Sequence, residues 1–210
     1  GCEVGNDYRA ENVRVLASEG TRFTLHWPGG EPLEIRTPLL GVPGIRATLA
    51  TLAVGLSEGV PPASLVAGLS GVEASPGRLQ LVQLDNGASI LRDEYKSSYE
   101  TIEMALDVFG MLEAKRKICV LGEVSEPPGS QGKIYRHLGQ RIAETADQAI
   151  FIGGNFQRYA TGARRAGMAE EALIDAGRDV LAVIERLRRE LRPGDLVLLK
   201  GRDTQRLDRI

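Results

Sequence analysis

The chain has 210 residues, of which 42% are hydrophobic and 26% charged, with a net charge of −2. That length suits one large globular domain or two small ones with a proper core. The near-neutral balance supplies no field to draw nucleic acid or an anionic membrane, so neither a nucleic-acid partner nor membrane insertion is expected.

The first part reads as strands: "VRVLA" (13–17), "TRFTLHW" (21–27) and "LEIRT" (33–37), separated by Gly and Pro turns. "ATLATLAVGLSEGV" (47–60) is apolar nearly all round and predicts a buried helix ending at Gly59. "PPASLVAGLSGV" (61–72), with Pro at helix-start positions, predicts a short second helix. "EASPGR" (73–78) has the Ser-Pro-Gly character of a domain boundary.

Beyond it, "RLQLVQLDNGASILRDEY" alternates on both sides of Asp85-Asn86-Gly87, which predicts a hairpin with a type I′ turn. Ile102, Ala105, Leu106 and Phe109 mark one helix face, and Ser97 with Glu100 has capping-box spacing to start that helix. Then come "KICVLG", a helix over 133–145, "DQAIFIGG", a helix over 156–166, a longer one over 171–191 and the strand "DLVLLK". In the last long helix "ERLRRELR" (185–192) alternates arginines with Leu187 and Leu191, the pattern of a solvated face. Strands alternating with helices imply an α/β fold whose parallel sheet carries helices on both faces.

In such a sheet ligands bind beyond the carboxyl ends of the strands. The polar segments 93–98, 122–132, 153–157 and 200–205 all fall there, and the first runs into a helix start, where free N–H groups favour anions. No metal site is expected: His26 and His137 lack companions at ligand spacing. "GSQGK" fails as a phosphate loop, because Pro127 stands where its first Gly is needed and Ile134 where Ser or Thr is needed. Cys2 and Cys119 make no disulfide framework; Cys119, inside "KICVLG", reads as a small core residue and suits a reducing, cytoplasmic compartment. No apolar run approaches membrane-spanning length. The opening "GCEVGNDYRAENV" starts without Met and in mid-pattern, which reads as a fragment of a longer protein.

The segments "GIRATLATLAVGLSEGV", "SPGRLQ", "RDEYKSSYETIEMALDVF", "KICVLGEVSE", "YRHLG", "FIGG" and "GDLVLLKGR" cover nearly the whole chain in order. In wording and sequence they resemble the Mur ligases, most of all the members that add D-alanyl-D-alanine to the UDP-N-acetylmuramoyl tripeptide of the cell-wall precursor. The resemblance implies that residues 1–75 are the carboxy-terminal part of the central ATP-binding domain, a partial strand-and-helix segment. It implies that residues 76–210 are a Rossmann-like C-terminal domain with a mostly parallel sheet. The implied chemistry is ATP-dependent amide formation: a carboxylate is activated as an acyl phosphate and attacked by the amine of an amino acid or dipeptide. The implied cofactors are ATP and Mg2+, held mainly by a central-domain segment this sequence does not contain, so this stretch alone is expected to be inactive and to hold no catalytic residue. The implied partners are the nucleotide-bearing cell-wall precursor and the amino acid or dipeptide.

Residue by residue, Arg78 matches the family's Gly-Arg arginine that reaches the nucleotide, a role suited to a planar, permanently charged fork. Asp93 matches the acidic residue at the ATP ribose. Tyr95 matches the tyrosine of the Tyr-Asn-Ala-Asn-Pro loop, and Lys200 matches the Lys-Gly near the amine-substrate pocket. The polar positions depart from the pattern: Lys96, Ser97, Ser98 and Tyr99 replace Asn-Ala-Asn-Pro, Tyr135 stands at a family histidine, and Arg202-Asp203-Thr204 replaces Ser-Arg-Ser. Pro43, Gly44 and Ala47 replace residues that lie near adenine in the family. Lys96 and Arg202 suit a substrate with a free carboxylate; with Tyr95, Ser97, Ser98 and Lys200 they form the expected substrate-binding set, and Arg78 and Asp93 the nucleotide-binding pair. Two other readings fit the same residues: a Mur-like ligase of a different amino acid in a side pathway, and a non-catalytic Mur-like binding protein.

Overall fold

The computed structural model describes residues 1–17, 19–127 and 129–210, in two compact units, Gly1–Ala74 and Ser75–Ile210. In the N-terminal unit β1 (Arg9–Leu16), β2 (Gly20–His26) and β3 (Leu33–Thr37) form an antiparallel sheet in that order. Alternate residues Ala10, Phe23, Leu25 and Ile35 turn inward to meet Ile45, Leu49 and Leu52 of α1 (Gly41–Ser57) and Leu69 of α2 (Pro62–Leu69). The helix α1 is not buried all round as its composition suggests: Val54 is exposed, and the covered face is Gly41, Gly44, Ile45, Thr48, Leu49 and Leu52. His26 is structural, with Nε2 2.8 Å from the Glu11 carboxylate.

The C-terminal unit carries a six-stranded sheet in the order β4-β5-β9-β6-β7-β8: β4 (Gln80–Gln83), β5 (Ser89–Asp93), β6 (Arg116–Leu121), β7 (Gln148–Phe151), β8 (Leu173–Asp175) and β9 (Asp195–Lys200). Only β4 runs antiparallel to its neighbour. Register aligns Asp93 and Leu121 with Lys200, and Phe151 with Leu121, so the carboxyl ends of β5, β9, β6 and β7 finish in one row. The four polar segments expected on one edge of the sheet therefore share it, with Pro128 of the 122–132 loop outside the described residues.

Helices cover both faces. Ile118, Val120, Ile150, Val197 and Leu199 point to the side of α6 (Val180–Glu190), where they pack with Val183 and Leu187. Cys119, Leu121, Ala149, Phe151 and Leu198 therefore face the other way, toward α3 (Tyr99–Met111), α4 (Gln131–Thr145) and α5 (Phe156–Arg165). Cys119 is fully buried and burial pushes its thiol up to about 12, which makes it inert packing. No described helix is long and apolar enough to cross a membrane.

Three further expectations are corrected. The turn at Asp85-Asn86-Gly87 is not type I′, which needs positive φ at both central residues. Only Gly87 has positive φ, 81°, and its N–H donates to the Leu84 carbonyl at 2.9 Å while the Leu84 N–H donates to Ala88. This is a three-residue loop with a glycine bulge. The capping box is absent: α3 starts after Ser98, whose side chain makes no cap bond, and Ser97 is fully buried one residue earlier. The helix expected over 171–191 is instead a 3-10 turn (Glu170–Ala172), the edge strand β8 and then α6. Gly177, at φ 52°, breaks the helical path, and Asp179 starts α6 by accepting from the Ala182 N–H at 2.9 Å. Asp179→Ala should therefore cost about 1 kcal/mol and lower the melting temperature by roughly 2–4 °C, read by circular dichroism. An unchanged midpoint would dismiss the cap.

Candidate functional site

The site grows from the row of strand ends. Lys200 closes β9, a central strand buried along its whole length, and is 1% exposed. An ammonium so placed needs partners. Its Nζ donates to Asp93 Oδ2 at 2.5 Å and to the Lys96 carbonyl at 2.8 Å. The other Asp93 oxygen accepts from the Leu79 N–H at 3.1 Å. Burial raises the Asp93 carboxyl above its ordinary value despite the Lys200 charge, and burial lowers the Lys200 ammonium. The pair fixes where the 93–98 loop leaves the sheet.

Around that anchor, the guanidinium of Arg78 lies over the Tyr95 ring, 4.4 Å from its centre, a cation–π contact on an exposed face. Arg78 and Asp93 thus stand on one edge, and the Arg78 charge reaches the Asp93 carboxyl. Glu94 is buried, with one oxygen held by Arg92 Nε at 3.0 Å and the other without a hydrogen-bond partner among the described residues.

A cavity of about 520 Å³ opens beside the loop, lined by Tyr95, Lys96, Ser98, Glu100, Ser125, Glu126, Arg202 and Thr204. Four of the six residues expected at a substrate, Tyr95, Lys96, Ser98 and Arg202, meet there. Ser97 and Lys200 do not: both are buried behind the loop, Ser97 offering its carbonyl to the Ser125 N–H at 2.6 Å. Two cations and two carboxylates share the cavity wall, a distribution suited to a zwitterion.

Sequence reasoning missed the residues that organise the rim between β6, β7 and β9. Gln205 Oε1 accepts from the Glu123 N–H at 3.1 Å and the Arg202 N–H at 3.4 Å, while its Nε2 donates to the Ile152 carbonyl at 3.4 Å. A Cβ at Gly122 would stand 2.1 Å from that oxygen, so a larger residue there would have to push the Gln205 carboxamide off these bonds. Glu123 Oε1 accepts from the Gly154 N–H at 3.2 Å, and Oε2 lies 3.4 Å from Arg202 Nη2. Tyr159, stacked on Phe151 at 4.7 Å, donates its hydroxyl to the Gly122 carbonyl at 3.0 Å. Tyr135 is buried edge-on against Tyr159 at 4.8 Å and lies outside the cavity lining. No group of three or more His, Cys, Asp and Glu among the described residues is arranged to hold a metal.

Comparison with known proteins identifies the family and the fold. A family model described as "Mur ligase, glutamate ligase domain" matches residues 77–202, most of the C-terminal unit. The UDP-N-acetylmuramoyl-tripeptide--D-alanyl-D-alanine ligase of Bacillus subtilis (strain 168) is 26% identical over 218 aligned residues, covering 100% of this chain and 45% of that protein. The crystal structure of MurF from Acinetobacter baumannii has a TM-score of 0.80 at 21% identity, over 99% of this chain and 44% of that one. MurF of Thermotoga maritima, solved in complex with ADP, has a TM-score of 0.78 at 17% identity, over 98% and 45% respectively. The chain spans less than half the length of each of these proteins. The matched residues include Arg78 and Asp93 at one end and Lys200 and Arg202 at the other; the chain belongs to the Mur ligase family.

Proposed function

We propose that this chain is the carboxy-terminal part of an ATP-dependent, amide-forming ligase of the Mur type, working in the cytoplasm on a peptidoglycan precursor. In this reading residues 1–75 end the central domain and residues 76–210 form the C-terminal domain. The cavity with Lys96 and Arg202 facing Glu100 and Glu126 carries the proposal: an amino acid or dipeptide has an amine for the acids and a carboxylate for the bases. D-Alanyl-D-alanine, for which the B. subtilis relative is named, is the first candidate.

Bound ATP would supply the phosphoryl group that activates the precursor carboxylate, with Mg2+ neutralising phosphate charge. The residues present suit a share of that nucleotide. Asp93 uses one lone pair on each oxygen and a carboxylate offers about four acceptor sites, so the small exposed part of this mostly buried side chain keeps acceptor capacity for a ribose hydroxyl. Arg78 brings a permanent charge to the same edge. This chain's own task is to hold the amine substrate in place, since orientation is a large part of any two-substrate acceleration.

The test is ADP release by the full-length protein with UDP-N-acetylmuramoyl tripeptide and a panel of amines: D-alanyl-D-alanine, D-alanyl-D-lactate and acidic amino acids. ADP release that needs both the precursor and one amine is expected, and none from this chain alone. Release independent of every amine would end the proposal.

A further inference from the structure

We infer that Glu123 is the resting counter-ion of Arg202, given up when the carboxylate of the amine substrate takes the guanidinium. The inference rests on reading the cavity as the amine-substrate site. Arg202 presents five N–H donors, but its side-chain contact with Glu123 is single and long, Nη2 to Oε2 at 3.4 Å. Among the described residues its Nε is buried without a partner, yet the side chain as a whole is 42% exposed and lines the cavity. A guanidinium whose described side-chain contact is one long bond is poorly satisfied, whereas a substrate carboxylate meets it as a two-pronged acceptor.

Glu123 is built to stay behind when Arg202 turns. Its backbone N–H is fixed by Gln205, and its other carboxylate oxygen accepts from the Gly154 N–H. Gly153, at φ 121°, leaves room for it, since a Cβ there would fall 2.5 Å from Glu123 Cγ. Glu123 therefore competes with the substrate for Arg202 from a fixed position, and it sets affinity without touching the reacting atoms. It is a positioning residue whose effect passes through Arg202.

The experiment measures KM and kcat of the full-length protein for D-alanyl-D-alanine and for its carboxamide, D-alanyl-D-alaninamide, by ADP release. Glu123→Gln keeps an oxygen for the Gly154 N–H and removes the competing charge. It should lower KM for the dipeptide about threefold, the scale of a partly exposed ion pair, with kcat and the KM for the amide unmoved. Arg202→Gln should raise the dipeptide KM about tenfold, the scale of a charge-assisted bond, and erase the preference over the amide. Arg202→Lys, which keeps charge without the fork, should fall between. The double variant should equal Arg202→Gln alone.

If Glu123→Gln shifts both ligands alike, or still acts in the Arg202→Gln background, the exchange does not occur. If the wild-type protein shows no amine-dependent ADP release, the proposed function fails first and takes the inference with it.

Discussion

Replacing Lys200 by methionine is expected to cost the C-terminal unit about 3–5 kcal/mol, because it strands the Asp93 carboxylate in the interior. Asp93 would keep only the Leu79 N–H, and the Lys96 carbonyl would lose its donor. Compared with an apolar pair of similar volume, the ion pair itself adds little stability. Burial raises Asp93, so its contribution is full below the ordinary carboxylate value of 3.8 and is lost as pH rises through the raised value. Burial lowers Lys200, so its contribution is full above 10.5 and is lost as pH falls through the lowered value. The interior works against the charge on both groups, and what the pair secures is geometry. Two outcomes follow in urea unfolding. The Lys200→Met deficit should shrink as pH falls and the stranded Asp93 carboxylate, whose proton affinity burial raises, is neutralised. The double variant Asp93→Asn with Lys200→Met should recover to within about 1 kcal/mol of wild type. A single variant that is no less stable than the double would show that the two groups do not depend on each other.

Gly162→Ala should cost about 3 kcal/mol or more, although alanine is the better helix former. The helices α4 and α5 touch backbone to backbone: a Cβ at Gly162 would lie 1.8 Å from the Arg136 carbonyl oxygen, and one at Gly139 2.0 Å from that of Tyr159. No rotamer change relieves such a clash, so the helices must part. Tyr159 would then leave Phe151 and the Gly122 carbonyl, and the fault would reach the rim. Gly68 in α2 is the control, with nothing within 4 Å of a Cβ; alanine there should be neutral or stabilising by up to about 1 kcal/mol. Thermal melts should separate the two by roughly 6–12 °C. Equal midpoints would mean the helices are not in backbone contact.

Most of the fold was legible in the sequence because hydrophobic period reports which face is covered. Strand β9 reads "DLVLLK" and is buried at every position, as a central parallel strand should be. The same pattern held the clue to the site anchor: a lysine ending a fully buried strand must find an acid, and Asp93 ends the neighbouring strand in register. Strand β8 stayed hidden because Leu173-Ile174-Asp175 also fits a helical repeat, and only pairing with β7 makes it a strand. Gln205 and Glu123 carried no local signal, since their partners are supplied by tertiary structure. The fold places Arg78, Asp93 and the cavity residues on one edge.

The carboxamide of Gln205 serves two amides and one carbonyl on three separate strand ends, one of them 82 positions away in the chain. Those ends consequently share one set of coordinates, written by the short turn that follows the central strand. Replacing Gln205, or lengthening its path from Lys200, would remove the one side chain that bonds all three of these loops at once among the described residues.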